Sequence, residues 1–199
     1  MARTPALGTR ERILTTASRL FYEHGVRAVG MNQVITEAGT GKNLLYSHFP
    51  TKTDLVAAYL GRAREIRSAA AHRAREAAGD DPRAQLLALV EEVARTVTRP
   101  GFRGCAFRNY LPEFPDDDDL GEEAPAGVAH AMLAATHGEL AALVTALGVA
   151  DPDRLLEELW LIVDGLYLQA AYRDRADGRI AVDTAVDLAR RLVDERVAT

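Results

Sequence analysis

The stretch from Met31 to Leu55, MNQVITEAGTGKNLLYSHFPTKTDL, constrains the fold more than any other part of the chain. Val34, Ile35 and Ala38 make one short apolar face, Gly39 to Gly41 supply a flexible turn, and Leu44, Leu45, Tyr46 and Phe49 resume helical spacing. Two helices this short are not stable alone, so they must close on a third. The pattern is that of a helix-turn-helix. Its second helix, Lys42 to about His48, places Lys, Asn, Tyr, Ser and His on the positions that the apolar residues leave free. Such side chains donate to phosphates and read base edges, so the expected partner is double-stranded DNA.

The same residues resemble the TetR family of bacterial transcriptional regulators, whose recognition segment commonly runs Ala-Gly-Val-Ser-Lys-Gly-Thr-Leu-Tyr-x-His-Phe-x-x-Lys-x-x-Leu. Ala38, Gly39, Lys42, Leu45, Tyr46, His48, Phe49, Lys52 and Leu55 fall in register with it. Thr40, Gly41, Asn43 and Leu44 depart from it, on or beside the surface expected to face DNA. Upstream, Val29-Gly30 stands where Thr-Ser or Thr-Thr is often found, which removes a side-chain cap and a phosphate contact. The resemblance implies an all-α chain with a three-helix DNA-binding domain over residues 1–52, and a helical ligand-binding and dimerisation domain over 53–199.

Roles within the motif follow from side-chain chemistry and from the family positions. Lys42, Asn43 and Leu44 open the recognition helix and are the expected base readers: Lys donates to guanine, Asn pairs with adenine and Leu packs on a thymine methyl. Tyr46, His48 and Lys52 match positions that touch phosphates in the family. Gln33 and Thr40 are added as backbone contacts, Ser47 as a further DNA-facing side chain of the recognition helix, and Arg3 and Arg10 as arm residues reaching a minor groove.

A net charge of −5 looks wrong for a DNA binder until it is divided along the chain. Residues 1–60 hold seven Lys and Arg against four Asp and Glu, a net of +3, whereas residues 61–199 hold seventeen against twenty-five, a net of −8. The two lysines, Lys42 and Lys52, both lie inside the motif. Charge asymmetry of this kind accompanies nucleic-acid binding. No apolar run approaches the roughly 20 residues of a membrane span. The N-terminus, MARTPALGTRER, lacks the apolar core of a signal peptide, and the single Cys105 cannot build an intrachain disulfide framework, so the expected compartment is the cytoplasm.

Around the motif, Thr9 is the expected cap of a first helix with the stripe Ile13, Leu14, Ala17, Leu20 and Phe21, ending at His24-Gly25. A long helix runs from Lys52 to Gly79, and another from Pro82 to Arg99. The segment GFRGCAFRNYLPEFPDDDD is the least regular in the body. A helix from about Pro125 to Leu147 follows. From Pro152 to about Asp174, Leu155, Leu159, Ile162, Leu166 and Ala170 make one stripe, and Leu156, Trp160, Val163, Tyr167 and Ala171 a second. Two stripes suggest two partners, one of them a second subunit. The last helix is expected from Val182 to about Val197.

A small-molecule effector is implied by the resemblance, its identity unspecified. Phe107, Tyr110, Trp160 and Tyr167 are the aromatic candidates for its pocket, and Asn109, Glu113 and Asp164 the polar ones, since a polar group within an apolar pattern needs a partner if buried. His130 and His137, seven apart without a carboxylate cluster, do not make a metal site, and no cofactor is expected. The chain has no Gly-rich phosphate loop, nucleophile elbow or dense His/Asp/Glu cluster, so it is not read as an enzyme. The resulting reading is a homodimeric repressor on a palindromic operator, released by its ligand. A transcriptional activator, or a thiol-based redox-responsive regulator using Cys105, is the alternative.

Overall fold

Helix punctuation in this chain is written largely by glycine and proline. In the computed structural model, α1 spans Thr9–His24, α2 Met31–Glu37, α3 Lys42–His48, α4 Lys52–Ala78, α5 Pro82–Val97, α6 Ala106–Glu113, α7 Pro125–Ala146, α8 Pro152–Tyr172 and α9 Arg175–Val197. The structure describes residues 8–121, 123–172 and 175–197, and the side chains of these outside 170–178; every element among them is α-helical. Gly25 ends α1 at φ +83°, its N–H donating to the Phe21 carbonyl at 2.9 Å. Asp81 caps α5 by accepting from the Arg83 and Ala84 amides, with Pro82 in the first turn where its missing N–H costs nothing.

Several expected boundaries are corrected. Thr9 does not cap α1: Gly8, at φ +100°, takes the cap position, and Thr9 becomes the first helical residue and is buried. The irregular segment after Gly101 contains α6, with Phe107 and Tyr110 buried one turn apart and Pro112 near its end. The last helix begins at Arg175, before the expected Val182.

The chain divides into two compact units, Met1–Glu65 with Ala106–Met132, and Ile66–Cys105 with Leu133–Thr199. In the first unit, α1 packs on α2 and α3. Ile13, Ala17, Leu20, Val34, Leu45, Phe49, Leu55 and Leu60 form the interior and are at most 2% exposed. Phe21 and Tyr59 meet with ring centroids 5.7 Å apart, and Arg62 of α4 pairs with Glu11 of α1. α6 belongs to this unit and not to the second.

In the second unit, α5, α8 and α9 pack on one another around Leu86, Val90, Leu155, Leu159, Ala189 and Val193, joined by Leu140 and Val144 of α7. Here the two-stripe expectation for α8 is corrected. Leu155, Leu159, Ile162 and Leu166 of one stripe and Leu156, Val163 and Tyr167 of the other are all buried in this same core, with Trp160 half-buried against it. Ala170 and Ala171 lie outside the described side chains. The described residues of both stripes enter the chain's own core because α5, α7 and α9 flank the helix there. What α8 leaves exposed is a third face, with Leu161 at 69% and Leu168 at 64%, and α9 leaves Ile180 and Leu188 exposed as well. The two helices border an apolar groove of about 700 Å³ whose lining includes Leu161, Gly165, Ile180, Ala185 and Leu188.

Candidate nucleic-acid interface

The second helix of the motif is aimed by its apolar side. Leu45 is fully buried and Phe49, at the C-cap of α3, is 2% exposed, so the helix cannot roll without exposing them. The turn between α2 and α3 is set by Gly39 at φ +58°, a conformation that disfavours a side chain. Both helices begin without a side-chain cap, at Gly30 and Gly41, as the Val29-Gly30 departure suggested for the first.

With that side anchored, Lys42, Asn43, Tyr46 and Ser47 stand exposed on the other, and Leu44 is partly exposed beside them. The Lys42 Nζ lies 6.0 Å from the Tyr46 ring centroid, a contact that extends the ammonium over an aromatic face. Ser47 Oγ donates to the Leu44 carbonyl at 2.8 Å. Gln33 is exposed on α2, and its amide donates to Glu37 at 3.1 Å, while Glu37 also pairs with Arg19 of α1. Those bonds hold the Glu37 carboxyl below its ordinary range.

Thr40 and His48 are only partly exposed, and their Oγ1 and Nε2 atoms are buried with no hydrogen-bond partner among the described residues. Lys52 opens α4, where Thr51 and Asp54 form a reciprocal cap: the Thr51 amide and hydroxyl each donate to Asp54 at 2.8 Å, and the Asp54 amide donates back at 3.1 Å. Partial burial pulls the Lys52 pKa below its ordinary value, and the Glu113 carboxylate partly restores it. Arg10, read as an arm residue, is instead in the first turn of α1, its guanidinium 4.9 Å from the Phe49 ring centroid. Arg3 lies outside the described residues.

Behind this surface, the turn from α1 to α2 is anchored by the buried Val26 and Val29 and by a residue far along the chain. The Arg27 amide donates to Glu113 Oε2 at 2.9 Å. The Arg27 guanidinium sits 5.1 Å from the centroid of Phe114, which stacks on Tyr110 at 4.8 Å, and the Tyr110 hydroxyl donates to Asp117 at 2.6 Å. Sequence reasoning missed Arg27, and read Phe114 only as one of the aromatic residues of the irregular segment; no local pattern pointed to their contact. The Thr51-x-x-Asp54 cap was visible as a spacing and was also missed.

The family model described as bacterial regulatory proteins, tetR family, matches residues 13–59, which span α1 to the first turns of α4. The transcriptional regulator LmrA of Bacillus subtilis is 50% identical over 42 residues, 21% of this chain and 22% of that protein. The transcriptional activator FasR of Mycolicibacterium smegmatis is 38% identical over 60 residues, 30% of this chain and 27% of that protein. Among solved structures, a TetR-family transcriptional regulator from Streptomyces coelicolor superposes with a TM-score of 0.86 at 26% identity, over 95% of this chain and 96% of that one. The chain belongs to the TetR family.

Against the curated relatives, the match of this TetR-family chain spans between about a fifth and three-tenths of their length. A further TetR transcriptional regulator, from Chloroflexus aurantiacus, shares the fold with a TM-score of 0.78 at 20% identity, over 94% of this chain and 95% of that one. No helix among the described residues of this family member is long and apolar enough to cross a membrane.

The candidate effector residues of the TetR-family chain fall into the two different units. Phe107, Asn109, Tyr110 and Glu113 belong to the first: Phe107 and Tyr110 are buried core residues, Asn109 is exposed, and Tyr110 and Glu113 bond to Asp117 and Arg27. Trp160, Asp164 and Tyr167 belong to the second. There His137 meets the Trp160 ring edge-on at 5.1 Å and approaches Glu157 at 3.2 Å, and Phe102 lies 6.2 Å from Tyr167. A separate void of about 10 Å³, lined by Arg67, Leu89, Val93, Thr136, Glu139, Leu140 and Val163, lies in the second unit. Arg67 Nη1 is buried without a hydrogen-bond partner among the described residues.

Proposed function

We propose that this chain is a DNA-binding transcriptional repressor that acts as a homodimer on a palindromic operator and is released by a small-molecule effector. The observation that supports it best is the row Lys42, Asn43, Tyr46 and Ser47, exposed on a helix whose opposite side is locked by Leu45 and Phe49. Donors on a short, rigidly held helix are what major-groove reading requires. Residues 1–52 would bind DNA, with Gln33, Thr40, Leu44, His48 and Lys52 completing the contact set, and residues 53–199 would dimerise and respond to ligand.

A seven-residue helix is only about 10 Å long and meets few base pairs, so specificity requires two copies on half-sites about one turn, ~34 Å, or more apart. The exposed Leu161, Leu168 and Ile180 supply an apolar face for the second copy. Effector binding belongs to the second unit, where Trp160, Asp164 and Tyr167 remain the candidate contacts. A ligand there acts only to the extent that it binds one head spacing better than another.

Selection and sequencing of random DNA fragments bound by the purified chain, at a stated salt concentration, tests the reading. One palindromic motif is expected, lost in the Lys42→Ala/Tyr46→Ala variant. Placing that motif over a promoter should lower reporter expression. Failure to enrich any motif across a range of salt would overturn the proposal.

A further inference from the structure

We propose that Glu113 is a positioning residue for DNA binding: from the last position of α6, its carboxylate fixes the α1–α2 turn at Gly25 and Arg27, and with it the entry of the helix-turn-helix. The proposal rests on the DNA-binding reading above and replaces the expectation that Glu113 contacts an effector. Four observations, all within the first unit, converge on it.

The first is the hydrogen bond from the Arg27 amide to Oε2 at 2.9 Å, made across 86 residues of sequence. A charge-assisted bond to a backbone amide is short and strong, and it leaves that donor satisfied in a turn without regular structure. The second is the space that Gly25 leaves. A Cβ built on Gly25 would stand 2.9 Å from Glu113 Oε1, and the residue already needs glycine at φ +83°. Carboxylate and turn therefore fit each other on both of its oxygens. The third is the flanking contact of Arg27 on Phe114, which ties the side chain of the same turn residue to the residue after Glu113. The fourth is that Glu113 acts favourably on the Lys52 ammonium at the start of α4.

The turn needs such an anchor because α2 has no side-chain cap at Gly30. With the cap absent, the entry angle of α2 depends on the backbone between Gly25 and Gly30. α2 in turn abuts α3, so loosening the turn spreads the orientations available to the recognition helix. Affinity for DNA then falls by the fraction of time the helix is correctly placed, although no contact to DNA has been removed.

Glu113→Ala and Glu113→Gln separate this role from charge and from folding. Gln keeps an acceptor oxygen at the same reach, whereas Ala removes it. Operator affinity should fall roughly five- to twentyfold in Glu113→Ala, as expected for loss of a hydrogen bond to a charged group, and stay within about threefold of wild type in Glu113→Gln. The dependence of affinity on salt should be unchanged in both, because no phosphate contact is lost. Amide hydrogen exchange of Arg27, read without DNA, should accelerate in Glu113→Ala and be largely restored in Glu113→Gln. A cooperatively melting Glu113→Ala protein with wild-type Arg27 protection, or with wild-type affinity, overturns the proposal. Wild-type protein that binds no DNA overturns the DNA-binding reading instead, and Arg27 exchange still decides whether Glu113 holds the turn.

Discussion

Lys52 and Tyr110 show how single side chains report on their surroundings. Burial lowers the Lys52 pKa from 10.5 and Glu113 opposes that shift. At neutral pH the ammonium is charged in both the folded and the unfolded chain, so its burial cost is borne in full. As pH rises from the folded value toward 10.5, the unfolded chain holds more protons, and this site's contribution to stability increases. Titration of Lys52 by NMR should give a pKa below 10.5, lower still in Glu113→Gln. Tyr110 behaves in the opposite sense. Burial, and then its bond to Asp117, raises its phenol above 10.0. Its contribution is complete below that pH and is lost as pH rises toward the higher folded value. Tyr110 should therefore contribute a late phenolate step, above the ordinary tyrosine range, in an ultraviolet titration. Tyr110→Phe should remove that late step and cost about 1–2 kcal/mol of stability.

At the scale of elements, α7 contains a matched pair of glycines. A Cβ at Gly127 would fall 2.0 Å from the Gly121 carbonyl oxygen and 2.8 Å from Leu120 backbone atoms, which cannot swing aside as a side chain could. Gly138, in the same helix, has nothing within 4 Å of that position and no unusual φ. Gly127→Ala should therefore lower the melting temperature measurably, whereas Gly138→Ala should raise stability by about 0.5–1 kcal/mol through helix propensity. Calorimetry on the two variants checks both signs. The same contrast explains which helices were legible. α1, α3 and α4 are bounded by glycine and proline and have long or well-spaced apolar patterns, so their spans could be read directly. α6 is eight residues long with Pro112 inside it, and only Phe107 and Tyr110 mark its buried side, which is too little periodicity to separate from a loop.

At the scale of the molecule, the exposed face of α8 and α9 carries the association prediction. Leu161, Leu168 and Ile180 are each more than 60% exposed, and Leu161 and Ile180 line an apolar groove, an arrangement typical of a surface that meets a partner. Leu161→Glu with Leu168→Glu should convert a dimer to monomers in sedimentation equilibrium, with helicity retained because neither residue is in the core. Operator affinity should fall with it, since one head alone reads too few base pairs. A variant that stays dimeric would remove this face from consideration.

By itself the sequence determined the helix-turn-helix, its register from Ala38 to Leu55, the all-helical class and the separation of a basic recognition end from an acidic body. These are local properties: spacing, capping and charge are set by neighbours within a few turns. Only the tertiary structure decided that the described residues of both α8 stripes share one core, that Leu161 and Leu168 are left exposed, and that Glu113 accepts from the Arg27 amide. Each depends on which surfaces meet across tens of residues. Packing selects those meetings by total buried area and satisfied polar groups, and no short window of sequence contains that sum.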